Sequence, residues 1–252
     1  MKNSIIKKII PVLLSVITFF LIWFLMAKKM NASLILPPPE DVFKQVLVLI
    51  TSKAFWNNFL FTFLRTIFSF LISVFLGIII GTFAGQNAFI KNFFSFPLSL
   101  IRSTPVIAVI LIALYWFSSN LVPVFTACLM TLPIIVTAIT TGILSADKKL
   151  LQMAKIYEYT KLQTFFYIKV PAAVPFFLNS LVSAFGLTWK VVVAGEVLSL
   201  PKKGAGTILQ SNQVIFESTS VLAITFILVV VSFILENLLK LLFKKKGGVN
   251  VR

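Results

Sequence analysis

Histidine is absent from the 252 residues, cysteine occurs once, and aspartate and glutamate together number 7. Without histidine the commonest general base near neutral pH is missing, and nothing else in the sequence has the look of a catalytic triad or a metal site. The single cysteine, Cys128, lies in an apolar run and cannot build a disulfide framework or a metal cluster within one chain. Charge is scarce as well: 12% of residues are charged, against about a quarter in a soluble domain. What is there is apolar. Hydrophobic residues make up 59% of the chain, phenylalanine alone occurs 27 times, and the mean hydropathy is +1.02. This composition excludes an ordinary soluble domain and reads as an integral membrane protein. The net charge of +16 is then read as lysines collected beside anionic lipid, where they set topology, and not as a nucleic-acid interface.

Apolar runs of spanning length fall at about residues 9–27, 58–84, 97–117, 121–144, 172–198 and 221–242. The expected fold is therefore an all-α integral membrane protein with six transmembrane helices. The first run exceeds a signal-peptide core and no small-x-small cleavage site follows it, so it is expected to be retained. Residues 28–53 form the first outer loop. Pro37, Pro38 and Pro39 give it a stiff extended start, and Val42, Phe43, Val46, Leu47 and Ile50 then recur at helical spacing, with Glu40 and Asp41 in the first turn. An amphipathic helix at the outer surface is expected there. The domain plan is a span plus amphipathic segment over 1–57, a transmembrane core over 58–243 with a loop at 147–170, and a basic tail over 244–252. Residues 201–220, polar and containing Gly204 and Gly206, read as a second outer loop. With the N-terminus inside, fourteen lysines and arginines fall on inner segments and six on outer ones. That bias agrees with the positive-inside rule, so both termini and the 147–170 loop are expected in the cytoplasm.

Within the second span Ser73, Gly77, Gly81 and Gly85 recur every four residues. They form one smooth stripe along which another helix can approach closely. Pro133 in the middle of the fourth span frees a carbonyl and is expected to bend the helix.

The 147–170 loop is the longest internal stretch that cannot lie across a bilayer. Ser145 or Asp147 can cap a helix starting near Lys148, whose part-apolar face would comprise Leu150, Leu151, Ala154, Tyr157 and Tyr159. Thr160 with Gln163 three residues on is a capping-box pattern, so a second short helix is expected from Thr160. That helix should end before Pro171, because the residue preceding proline resists helix. The loop aromatics suit either the headgroup interface or a protein partner.

These features together resemble the binding-protein-dependent ABC importer permeases of the nitrate/sulfonate/taurine type. Their cytoplasmic coupling loop reads Glu-Ala-Ala, three residues, Gly, then after a dozen residues a proline-rich lead into the next span. Counting back from Pro171-Ala-Ala-Val-Pro175 aligns that triplet with Gln152, Met153 and Ala154 and its glycine with Glu158. This chain departs from the pattern at Gln152, Met153 and Glu158, and Glu158 is expected to need backbone angles different from those of a glycine. Leu36-Pro37-Pro38-Pro39, Arg65, Gly77-xxx-Gly81, Arg102-Ser-Thr-Pro105, Thr188-Trp189-Lys190 and Ala194-Gly195-Glu196 are similar to that subfamily in the same order. The resemblance implies that two copies of the permease form a pathway in a prokaryotic cell membrane. Two copies of a cytoplasmic ATPase would grip loops containing Gln152, Met153, Ala154, Tyr157, Glu158, Thr160 and Gln163. An external binding protein, periplasmic or lipid-anchored, would deliver a small oxyanion, a sulfonate or taurine-like solute, or a thiamine-precursor-like heterocycle. The chain contains no G-x-x-x-x-G-K-S/T phosphate loop, so ATP and Mg would be bound by the partner and this chain would be a transport subunit without a cofactor.

The intramembrane charges complete the sequence reading. Arg65 and Arg102 lie near span ends and can snorkel to headgroups. Lys190, after Trp189 and deep in the fifth span, either pairs an acid on another helix or attracts an anionic solute. Glu196 lies toward the outer end of that span and is read as lining the outer gate or meeting the binding protein. Arg65, Arg102, Trp189, Lys190 and Glu196 are thus the pathway candidates. The competing readings are a secondary carrier or channel not driven by ATP, which predicts internal repeats not seen here, and a membrane scaffold without transport.

Overall fold

The computed structural model describes the backbone of residues 2–30 and 32–247 and the side chains of 10–30 and 32–243. The side chains of Lys2, Lys7 and Lys8 and those of the basic tail from Lys244 onward lie outside the described residues. Every regular element among them is helical: α1 (Lys2–Met30), α2 (Pro39–Thr51), α3 (Lys53–Gln86), α4 (Ala88–Ser103), α5 (Val106–Trp116), α6 (Val122–Leu144), α7 (Lys148–Ile156), α8 (Lys161–Thr164), a π-helical turn (Phe165–Lys169), α9 (Val170–Ser199), α10 (Ala205–Val214) and α11 (Ser218–Gly247). Five stretches are long and apolar enough to cross a membrane, and a sixth arises if α4 and α5 count as one broken span.

The described residues divide into two compact units, Met1–Asn57 with Ile208–Val229 and Asn58–Thr207 with Val230–Arg252. In the first, proline at the helix start and acids in the first turn open α2. Val42 and Val46 are buried on one side of α2, while Leu47 is 67% exposed. Phe43 meets Phe20 and Phe226 at centroid distances of 5.8 and 5.4 Å. Trp23 donates to the Pro37 carbonyl at 3.1 Å, tying the triple-proline segment to α1.

The second unit is built on α3, α6 and α9. The stripe of small residues on α3 packs against three isoleucines of α6 that share its spacing of four. A Cβ on Gly77, Gly81 or Gly85 would lie 2.6, 2.8 or 2.8 Å from Ile135, Ile139 or Ile143 respectively. At the head of the stripe the Ser73 hydroxyl donates to the Cys128 carbonyl at 3.1 Å, and from α6 Thr140 donates to the Gly81 carbonyl at 3.2 Å. The matched order makes α3 and α6 parallel. α9 runs antiparallel to α6: a Cβ on Gly142 would fall 2.6 Å from the Ala173 Cα, Thr131 and Thr188 share a 2.9 Å hydrogen bond, and a Cβ on Gly195 would fall 2.8 Å from the Pro123 Cα. Glycine at each end lets two backbones touch where lipid offers no hydrophobic drive to bring them together. Because the atoms facing Gly77 belong to a β-branched side chain with little rotamer freedom, Gly77→Leu is expected to destabilise the protein by about 1–3 kcal/mol. By contrast, Leu76→Met at the neighbouring exposed position should leave the unfolding midpoint in detergent unmoved.

Three expectations are corrected by this arrangement. The third span is not one straight helix over 97–117: α4 begins at Ala88, capped by Asn87, and turns by 103° into α5. The break falls at Thr104, held extended (φ −78°, ψ 128°) by the following Pro105. The expected outer loop 201–220 contains α10, whose start is drawn inward by the close approaches described below. Finally, the helix capped at Thr160 does not end before Pro171. The Val170 N–H reaches back to the Phe165 carbonyl, an i to i−5 step, and the π turn carries the chain without interruption into α9. Widening the ladder relieves the clash that a proline ring makes with the carbonyl one turn before it. The stretch Lys161–Ser199 is consequently one helical run of 39 residues.

Candidate functional site

The loop between α6 and α9 is shaped by two local motifs. Asp147 caps α7, its carboxylate accepting from the Lys149 N–H at 2.8 Å. At the other end the Tyr159 N–H bonds the Ala154 carbonyl at 2.8 Å and the Glu158 N–H bonds that of Lys155 at 3.2 Å. This is the Schellman pattern, which requires a left-handed residue just past the helix. That residue is Glu158, with φ +55°. It therefore adopts the angle at which a glycine is favoured, contrary to the expectation of a different backbone path: the two hydrogen bonds fix the turn regardless of the side chain. A left-handed L-residue costs about 1 kcal/mol or more, so Glu158→Gly is expected to raise local stability by about 1 kcal/mol, read as slower amide exchange at Tyr159 and Thr160. Immediately afterwards Thr160 and Gln163 form a complete capping box, at 3.2 Å from the Gln163 N–H to the Thr160 hydroxyl and 2.8 Å from the Thr160 N–H to the Gln163 side chain.

The two faces of the loop are chemically distinct. Ala154 is 1% exposed and packs with Ala146 and Ile168, bordered by Leu151 and Ala172. This residue is thus part of the loop's inner core, not of its outer surface: the i−4 position to Glu158 faces back toward the start of α9. The outward side carries Met153, Ile156, Tyr157 and Leu162, the last three 79, 70 and 70% exposed. Gln152, Glu158, Thr160 and Gln163 are also exposed. Ile156 and Leu162 were not singled out by sequence pattern, since neither falls on the face that Ala154 and Tyr157 suggested.

At the opposite end of α9 the charges take an unexpected arrangement. Glu196 is fully buried. Its Oε1 accepts from Arg65 Nη1 at 2.5 Å, and its Oε2 accepts from the Thr62 hydroxyl at 2.7 Å and the Gly206 N–H at 3.0 Å. Arg65 also donates to the Lys203 carbonyl (2.7 Å) and to Asn120 (3.0 Å), and Thr62 accepts from the Ala205 N–H at 2.8 Å. Gly204 and Gly206 are obligatory here, because a Cβ on either would stand 2.7 Å from atoms of Glu196. Glu196 is therefore not at an outer surface, and Arg65 does not reach for headgroups. A buried carboxylate is tolerated only when paired and hydrogen-bonded, and the 201–206 segment folds over the pair to complete that shell. Sequence pattern missed Thr62, Asn120, Gly204 and Gly206 as members. The available signals were Thr62 three residues before Arg65, on one helix face, and the Gly-x-Gly of the loop.

Trp189 is likewise internal, 2% exposed with its ring 5.8 Å from that of Phe59. The one-residue rotation of about 100° along a helix turns the neighbouring Lys190 to the outside. Lys190 is exposed, shares no face with Glu196, and makes no ion pair among the described residues. Asn179 and Ser183 are exposed on the same helix. Arg102 donates through Nη2 to the Pro133 carbonyl at 3.0 Å and to the Thr137 hydroxyl, which joins α4 to α6. α6 is continuous through Pro133.

With this geometry in place, comparison with known proteins is direct. Residues 73–247 match the family described as binding-protein-dependent transport system inner membrane component. The chain is 23% identical to the taurine transport system permease protein of Escherichia coli (strain K12) over 223 residues, covering 85% of this chain and 80% of that one. It is 28% identical to a putative aliphatic sulfonates transport permease protein of the same organism over 195 residues, 77% of this chain and 73% of the other. Its fold is similar to that of a bacterial alginate ABC transporter solved in complex with an alginate pentasaccharide-bound periplasmic protein, at a TM-score of 0.67, 15% identity and coverage of 98% and 99%. The chain belongs to the binding-protein-dependent inner membrane components, the permease family of bacterial ABC importers.

Proposed function

We propose that this chain is the pathway-forming subunit of an ATP-driven importer for a small anion, a sulfonate or other oxyanion, and that it works as a pair of copies in the inner membrane of a bacterium. In this reading the α6–α9 loop faces the cytoplasm and docks an ATPase that supplies ATP and Mg, while an external binding protein delivers solute at the far end. The observation that carries the reading is the loop's outer face: an apolar patch of Ile156, Tyr157 and Leu162 held on two rigid caps, which a solvated connection has no need of. The thiamine-precursor-like heterocycle is less well matched by the charges. Exposed Lys190 stands unneutralised at membrane depth, whereas Glu196 is internally paired, so the field offered to a solute is positive.

The test is co-purification of the ATPase with the detergent-extracted protein. Tyr157→Asp combined with Leu162→Asp places charge on the docking face without touching the inner core. The ATPase recovered should fall about tenfold or more while the permease keeps its unfolding midpoint. Full recovery of the ATPase with the double variant would show that the patch is not the docking face. Lys190→Gln should then weaken uptake of a sulfonate or nitrate probe in proteoliposomes without reducing ATPase recovery.

A further inference from the structure

α4 presents two unlike faces. At 100° per residue, Phe89, Phe93, Phe96 and Leu100 fall together, and they are 77, 63, 73 and 56% exposed. Lys91, Ser95, Ser99 and Arg102 fall on the other side and line a cleft of about 240 Å³ against the end of α3 and the second half of α6. No carboxylate lines this cleft, and Phe94, Leu98 and Leu144 form apolar walls beside its cations and hydroxyls. Arg102 is fixed by the Pro133 carbonyl and the Thr137 hydroxyl, both neutral acceptors. Its charge is thus oriented but not balanced: the ion pairs among the described residues are Lys44–Asp41 and Arg65–Glu196. The remaining guanidinium donors, on Nε and Nη1, have no hydrogen-bond partner among the described residues. The hydroxyls of Ser99 and Thr141, both exposed in the cleft, are in the same position.

An oriented, unneutralised guanidinium within a span, a second cation on the same helix face and spare hydroxyl donors make a receptor for a tetrahedral oxyanion. We propose that the α4–α6 cleft binds a phosphate-type oxyanion, with Arg102 as the fixed ligand and Lys91 as the second cation. The apolar walls, and the exposed apolar stripe on the back of the same helix, favour an anionic lipid headgroup as its source over free phosphate. An ion so bound bridges α4 to α6 where the protein itself supplies little: α4 buries none of its residues. This assignment is independent of the transported solute and of the docking face.

The experiment uses the full chain in a zwitterionic detergent, stripped of lipid, with phosphatidylglycerol, phosphatidylcholine or inorganic phosphate added back. Bound lipid is counted by native mass spectrometry and the unfolding midpoint is read in parallel. Phosphatidylglycerol should be retained and raise the midpoint, and phosphatidylcholine should do neither. If inorganic phosphate raises the midpoint as much, the cleft takes a free oxyanion and the chemistry stands. Arg102→Gln should lower phosphatidylglycerol retention about tenfold. Because Arg102 also clamps α4 to α6, Ser99→Phe provides a second variant, filling the cleft while leaving the clamp intact. Equal retention of phosphatidylglycerol by the parent, Lys91→Gln and Ser99→Phe, or no response of the parent to either anion, would overturn the proposal.

Discussion

Arg65→Ala is expected to cost about 3–5 kcal/mol, because it strands the Glu196 carboxylate, fully buried, without its counter-charge. The Thr62 hydroxyl and the Gly206 N–H would still donate to it, but neutral donors do not offset the desolvation of an ion. The loss should appear twice. Global stability in mild detergent falls, and the 201–206 segment, which loses the bond from Arg65 to the Lys203 carbonyl, becomes open to proteolysis. The double replacement Arg65→Met with Glu196→Met discriminates the cause. A buried pair exchanged for apolar side chains of similar volume is often neutral, so the double variant should recover most of the stability lost by Arg65→Ala. If it is instead less stable than either single change, packing and not charge governs the site. Glu196→Gln, which keeps an acceptor for Thr62 and Gly206, should fall between the two.

The second large effect is expected at Ala154. With the residue 1% exposed among Ala146 and Ile168, Ala154→Asp places a carboxylate in an apolar cluster that holds no cation. The cost is about 3 kcal/mol, and more if the group stays charged. Its consequence is local: α7 detaches from the start of α9 and the turn at Glu158 loses its support. Amide exchange at Tyr157–Thr160 should accelerate by about 100-fold while α3 and α6 remain protected. Tyr157→Asp, 70% exposed on the other face, should leave that exchange unchanged. Both changes are expected to weaken ATPase recovery, but only the first by unfolding its own platform. Equal exchange rates in the two variants would place Ala154 on the surface after all.

The contrast between these two residues marks where the sequence was readable. Caps are local chemistry, and Asp147, Thr160 and Gln163 stand within a few residues of what they bind, so pattern sufficed. The glycine stripe on α3 was readable for the same reason, its period being that of the helix itself, although its partners Ile135, Ile139 and Ile143 were not. Ala154 looked like surface because helical spacing groups it with Tyr157, and only the position of α9 decides which of the two is covered. The ion pair was hidden for a different reason: Arg65 and Glu196 are 131 residues apart, and their shell is completed by backbone N–H groups, which carry no residue identity. The break at Thr104 was legible in principle from Pro105, but an apolar run masked it, since hydropathy records the length of a segment and not its direction.

The π turn at Phe165–Lys169 has a mechanical meaning. Because it is continuous with α9, the helix that begins in the capping box has no slack before it enters the membrane. From Lys161 to Lys190 the run extends about 44 Å at 1.5 Å per residue. A push on the box is therefore transmitted as leverage: pivoting by about 5° at the loop end would swing Lys190 through about 4 Å.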